Sequence, residues 1–266
     1  MPFQPLNEKH AIQQVTFGLL FGKALPSATI DKLRTEGGSW CTDLPAVEAT
    51  QLVEVRAEAG TGAMRPFMIR GAEFSYKRPD GSAAWSLAIS GNEIIIQTSQ
   101  YTRWEPTWEK VQSYLLEVLR RVVELEKPRP VTVRNVSLVY IDAFRSSDAV
   151  PNFSEVLVES PTIPRAVFDR GPLWHCHTGW FVPAEPKGRI LNQVNIDTKT
   201  VSERPEITIN HRQVMEFRPD LALGEVVSEE HSSDISTAFE AMHDANKREI
   251  AALLTPHMRE AIRIDQ

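Results

Sequence analysis

One order of elements occurs twice along this chain. A bulky apolar strand leads into a short polar helix, a run of strands and a long amphipathic helix. The first run spans about Ile12 to Glu126 and the second about Val131 to Ile262. The match is one of order: Val15-Thr16-Phe17-Gly18-Leu19-Leu20-Phe21 and Val136-Ser137-Leu138-Val139-Tyr140-Ile141-Asp142 share an apolar pattern rather than identity. A strand, a helix, three or four meander strands and a closing helix build a sheet with helices on one face. The expected fold is therefore α+β, with two structurally similar halves, 1–127 and 131–266, each an antiparallel β-sheet covered on one face by helices. Doubling such a unit produces either one continuous sheet or two packed lobes, and the sequence does not choose.

The local patterns behind this reading are specific. Val15, Phe17, Leu19 and Phe21 alternate with period two, as a half-buried strand requires. Pro26-Ser27 stops that strand, Ser27 offers a cap for a helix through Leu33, and Gly37-Gly38 ends the helix. Four strands are expected next, at Gln51 to Ala59, Met68 to Lys77, Ala84 to Ser90 and Glu93 to Ser99. Their connections, Ala59-Gly60-Thr61-Gly62, Pro79-Asp80-Gly81 and Gly91-Asn92, contain glycine, which suits a meander. Trp108, Val111, Leu115, Val118, Val122 and Leu125 recur at three- and four-residue steps on one helical stripe. That helix starts either at Glu105-Pro106 or at a capping box of Thr102 with Glu105. Lys127-Pro128-Arg129-Pro130 ends it and marks the boundary between the halves.

In the second run, Val136, Leu138 and Tyr140 face one way and Val139, Ile141 and Ala143 the other. Both faces are apolar, so the strand is expected at the centre of a sheet. Ser146 to Pro164 is rich in Pro and Ser, with one short helix near Phe153 to Val158. Leu173 to Val182, Ile190 to Asp197 and Glu206 to Phe217 are the next strands. Pro219 to Asp234 reads as an acidic loop without Lys or Arg. A final helix from Ser233 or Asp234 turns Ile235, Phe239, Met242, Ile250 and Leu254 inward. Thr255-Pro256 interrupts it, and Thr255 caps a last piece to Ile262.

Composition narrows the function classes. At 42% hydrophobic and 24% charged residues, the 266-residue chain has the balance of a folded globular protein. A net charge of -6 disfavours nucleic acid, which calls for clustered Lys and Arg. The basic residues nearest to a strip are Arg129, Arg134 and Arg145 around one strand and Lys187 with Arg189 in a turn. Cys41 and Cys176 stand far apart with no C-x-x-C, as in a reduced cytosolic protein. The apolar run Val15 to Gly22 follows Glu8 and stops at Lys23, so it reads as a strand and not as a signal peptide. No stretch reaches the roughly 20 apolar residues of a membrane span.

Around the junction of meander and helix the residues are distinctive: Trp85, Leu87, Ile89, Ile94 and Ile96, then Thr98, Tyr101, Trp104 and Trp108, and after the helix Val136 through Phe144. Together with Pro5-Leu6-Asn7-Glu8 and the stretch from Met242-His243-Asp244 to Leu254-Thr255, they resemble a sporadically distributed prokaryotic family of roughly 260-residue proteins of uncharacterised function. The chain departs from it in having Val139-Tyr140-Ile141-Asp142 for Arg-Tyr-Ile-Asn and Ile250 for an aromatic. The resemblance implies a stand-alone soluble accessory protein beside a mobile-element or defence locus. It implies no cofactor and no catalytic residue.

Several constellations bear on chemistry. In His175-Cys176-His177 the two imidazoles share a strand face, and His211 of a neighbouring strand is the third candidate metal ligand. The plainer reading puts the histidines on the polar outer face of a Trp174–Trp180 strand. Glu229-Glu230 beside His231 is the densest carboxylate cluster, yet its Ser-rich setting offers nothing to desolvate it. Neither cysteine has a nucleophile signature, G-x-S-x-G is absent, and Gly60-Thr61-Gly62 is too short to cradle phosphate. Tyr101, Trp104 and Trp108, and Trp174, Trp180 and Phe181, either line a ligand cavity, anchor a partner or fill ordinary core. The reading that follows names no catalytic residue, no metal ligand and no cofactor. It is a non-enzymatic cytosolic binding protein with a protein partner, acting through a sheet surface or a groove between the halves. The alternative is a small-ligand or metal-dependent enzyme with a pocket between the sheet and a long helix.

Overall fold

The computed structural model describes residues 3–7, 10–57, 64–184, 188–228 and 232–264. In chain order these form β1 (Phe3–Pro5), β2 (Ile12–Phe21), α1 (Ser27–Glu36), α2 (Trp40–Asp43), β3 (Ala46–Ala57), β4 (Met64–Lys77), β5 (Ala83–Ser90), β6 (Glu93–Thr98) and α3 (Trp104–Glu126). There follow β7 (Thr132–Ser146), a 3-10 turn (Phe153–Glu155), α4 (Arg165–Phe168), β8 (His175–Ala184), β9 (Gly188–Val201), β10 (Arg204–Ala222), α5 (Leu223–Val226), α6 (Ser232–Leu253) and α7 (Pro256–Ile262). The fold is α+β with a large antiparallel sheet, ordered β3-β4-β5-β6-β2-β7-β10-β9-β8, and β1 is added against β7. The chain divides into two compact units, one of residues 1–16, 137–216 and 237–266, the other of residues 17–136 and 217–236.

In the unit of residues 17–136 and 217–236, period two on β2 buries Phe17, Leu19 and Phe21. Of the residues that recur at helical spacing on α3, Trp108, Val111, Leu115, Val118 and Val122 are buried, whereas Leu125 is only half-buried and Glu126 is enclosed instead. Phe17 stacks on Trp108 at 5.9 Å between ring centroids, and Trp40 meets Phe74 edge-on at 5.8 Å. The hairpin turns sit where glycine permits them, with φ of +84° at Gly81 and +53° at Gly91. Ser27 lies inside α1 and caps nothing; Pro26 holds the cap position, and the helix runs on to Glu36 before Gly37, at φ +65°, ends it. Thr102 and Glu105 form no capping box, because the extended residue ahead of α3 is Arg103 and no side chain bonds the helix end. Strand β3 begins at Ala46, five residues before the apolar run that announced it. Its early part is held by pairing from Ala46↔Ser75 onward and by an ion pair of Glu48 with Lys77. The connection at Gly60-Thr61-Gly62 lies outside the described residues.

The expected acidic loop after Pro219 is a correction. Strand β10 continues to Ala222 and α5 follows, because Leu221, Leu223 and Val226 are apolar and find burial.

In the other unit, alternate residues of β7, β9 and β10 turn inward. Phe144, Val194, Ile196, Ile207 and Ile209 form a core with Ile250, Leu253 and Leu254 of the α6 end and with Met258 and Ile262 of α7. Thr255 caps α7 as its position predicts, its hydroxyl accepting from Met258 N at 3.3 Å. The Pro- and Ser-rich passage carries a 3-10 turn at Phe153–Glu155 and an unexpected short helix, α4. It is pinned through buried Phe153, Val156, Leu157 and Ile163.

Candidate functional site

The covered face of the unit of residues 1–16, 137–216 and 237–266 carries polar side chains where hydrophobic ones would be expected. On β10, Ile207, Ile209, His211, Gln213 and Met215 share one face by period two, and all are buried. His211 is 1% exposed and Gln213 fully enclosed. Asn192 on β9 meets Gln213, whose Nε2 donates to Asn192 Oδ1 at 3.1 Å. Helix α6 supplies partners three residues apart, hence on one face. His211 Nδ1 bonds Asn246 Oδ1 at 2.9 Å, and His243 Nδ1 bonds the Tyr140 hydroxyl of β7 at 2.8 Å. Trp180 of β8 stacks on His211 with ring centroids 6.4 Å apart and planes inclined by 20°.

Two groups in this unit have strongly altered acidity. Burial alone pushes the Asp142 carboxyl up to about 7, since a charged carboxylate is penalised away from water. Burial likewise pushes the His211 imidazole down to about 4, with the Asn246 hydrogen bond opposing. At neutral pH His211 is therefore uncharged. Because a carbonyl oxygen only accepts, Nδ1 carries the hydrogen and donates it in a hydrogen bond to Asn246 Oδ1.

The expected metal trio is divided by the sheet. His175 and His177 lie on the exposed side of β8, whereas Cys176, Thr178 and Trp180 alternate onto the side that meets His211. His175 Nδ1 is 2.5 Å from Asp197 Oδ1, and the two β8 imidazoles stand edge to face at 6.4 Å. A β-sheet between them and His211 rules out a shared ion for the three. Among the described residues, no group of three or more His, Cys, Asp or Glu side chains is placed to hold a metal.

The same open side of β8 carries Phe181, 57% exposed, with the Arg189 guanidinium 4.6 Å above its ring. Arg189 in turn pairs with Glu216 at 3.4 Å. Two other basic candidates are also engaged: Arg145 with Glu206 at 2.6 Å, and Arg134 with Asp220 at 3.8 Å. Lys187 and the Glu229-Glu230-His231 cluster lie outside the described residues.

A pocket of about 300 Å³ opens elsewhere in this unit, lined by residues 149–154, Phe168, Gly171 and Pro172, none of them titratable. Trp174 packs edge-on against Phe153 at 5.6 Å and tilted against Phe168 at 6.5 Å, so it backs two lining residues without lining the pocket itself. In the unit of residues 17–136 and 217–236, Trp108 is core, as its helical phase requires. Trp104 is half-buried and stacks on Trp108 at 5.7 Å and on Phe17 at 5.9 Å.

The sequence reading passed over Tyr140, Asp142, His243 and Asn246 as polar participants. A signal existed: Asn246 interrupts the inward stripe of Met242 and Ile250, and Asp142 continues the buried phase of Leu138 and Tyr140. Compared with known protein families, curated proteins and solved structures, the chain matches none. Among the described residues no helix is long and apolar enough to cross a membrane.

Proposed function

We propose that this chain is a non-enzymatic binding protein of the cytosol, an accessory component of a mobile-element or defence locus, that engages a protein partner through the open sheet surface of β8 and β9. The observation that carries the reading is the Phe181–Arg189–Glu216 arrangement. Aromatic residues and arginine supply most interface hot spots. An exposed ring held under a guanidinium, itself held by a carboxylate, is ordered before any partner arrives, which lowers the entropy cost of association. His175 and His177 extend the same strand face toward Asp197. The net charge of -6 and the engagement of Arg134, Arg145 and Arg189 with carboxylates favour protein over nucleic acid as the partner. The twofold order of strand, helix, meander and helix belongs to the same proposal.

A second reading, a small-ligand enzyme working between the sheet and α6, draws on the altered acidity of Asp142 and His211. Their burial at 3% and 1% exposure favours the binding reading, because a reacting substrate must reach its acid and base.

The test is co-purification from native cells with wild-type protein and a Phe181→Ser/Arg189→Glu variant, both checked for folding by circular dichroism. A partner held by the wild type and lost by the folded variant is expected. An identical set of proteins from both would refute the assignment to this face.

A further inference from the structure

Among the buried acceptors of the same unit that have no hydrogen-bond partner, two lie on one face of β10. His211 Nε2 and Gln213 Oε1 are both buried and unbonded. Their character follows from the bonds their side chains do make. His211 Nδ1–H donates a hydrogen bond to Asn246 Oδ1, so in the neutral ring Nε2 presents a lone pair. Gln213 spends an amide N–H on Asn192, so its carbonyl oxygen points elsewhere. The two residues are two apart on β10 and share a face, and two acceptors cannot satisfy one another. Buried acceptors in folded proteins are almost always bonded, to protein or to ordered water. The inward side chains beside them on β10, Ile209 and Met215, carry no donor, and the Trp180 ring lies against His211.

We propose that this unit contains an internal site, between β9–β10 and α6, for a small guest that donates one hydrogen bond to His211 Nε2 and another to Gln213 Oε1, and that a single water molecule fills it in the resting protein. Such a guest has the chemistry of a double donor. Water meets that requirement, and so does the primary amide or amine of a small metabolite. A carboxylate or phosphate does not, because it would set acceptor against acceptor. The site also ties His211 to its uncharged form, since a protonated ring would turn Nε2 from acceptor to donor and repel the guest's hydrogen. It stands apart from the open face of β8 and β9, so it and the partner-binding reading can fail independently.

The decisive measurement is made on the wild-type protein. A high-resolution crystal structure is expected to show one ordered water within about 3.2 Å of both atoms. Nitrogen-15 NMR of the ring is expected to show His211 with its proton on Nδ1 and Nε2 accepting. Organic density at the site, with a co-released amine or amide found by mass spectrometry, would support the site and assign the guest to a metabolite. A proton on Nε2, protein donors on both acceptors, or no guest between them would overturn the proposal. A His211→Phe/Gln213→Leu variant is expected to lose the guest; should it fail to fold, the wild-type measurements decide alone.

Discussion

Tyr140 and His243 share a 2.8 Å hydrogen bond that ties strand β7 to helix α6. Its value to stability is that of one partly buried hydrogen bond, about 1 kcal/mol net, with more lost if a polar atom is stranded. Tyr140→Phe keeps the ring and removes the hydroxyl. Urea denaturation is expected to show a lower midpoint at unchanged slope, a loss of roughly 1–2 kcal/mol. An unchanged midpoint would show that the bond contributes nothing.

Asp142 makes a separate forecast. Its carboxyl is held up at about 7 in the folded protein, against an ordinary value near 3.8. Between those limits the folded state keeps a proton that the unfolded chain releases. Stability therefore declines as pH rises from about 4 to about 7, and is level above that. The difference corresponds to roughly 4 kcal/mol. Asp142→Asn removes the charge, so the variant is expected to be more stable than wild type at pH 8 and to lose this decline. Parallel melting curves at pH 5 and pH 8 would show it; equal curves for the two proteins would count against a buried, uncompensated carboxyl.

His211 acts in the opposite sense. Its imidazole is held down at about 4 from an ordinary value of 6.5. As pH falls through that window the unfolded chain takes up a proton that the folded protein refuses. Stability conferred by the neutral ring is complete above 6.5 and is lost by about 4. In an Asp142→Asn background, where the opposing trend is gone, unfolding free energy should drop by roughly 3 kcal/mol across the window. Adding His211→Phe should flatten that drop, as read from denaturation at a series of pH values.

The stacked aromatics of the unit of residues 17–136 and 217–236 should divide by burial. Trp108 is 7% exposed and packs on Phe17, so Trp108→Ala is expected to cost about 3–5 kcal/mol. Trp104, half-buried on the outside of the same stack, should cost roughly 1 kcal/mol as Trp104→Ala. Comparable losses at the two positions would contradict the assignment of Trp108 to core and Trp104 to its margin.

Much of the architecture was legible in the chain because it is written locally. The period-two run at Val15 to Phe21, the stripe from Trp108 to Val122 and the Thr255-Pro256 start of α7 each depend on neighbours within a few residues. Where local and long-range preferences part, the reading slipped. Ser27 is a good cap residue, but Pro26 took the position. The stretch after Pro219 is acidic, yet its Leu221, Leu223 and Val226 were claimed by burial.

The sequence by itself determined that this is an α+β protein of antiparallel strands and long amphipathic helices, because hydrophobic periodicity is imposed by the backbone geometry of each element. Only the tertiary structure decided that His175 and His177 face away from His211, that Asp142 is sealed from water, and that Asn246 and His243 reach across from α6 to β10 and β7. Acidity and partnership depend on which face of the sheet a helix covers. That choice is made by contacts between residues more than thirty positions apart, which no local pattern encodes.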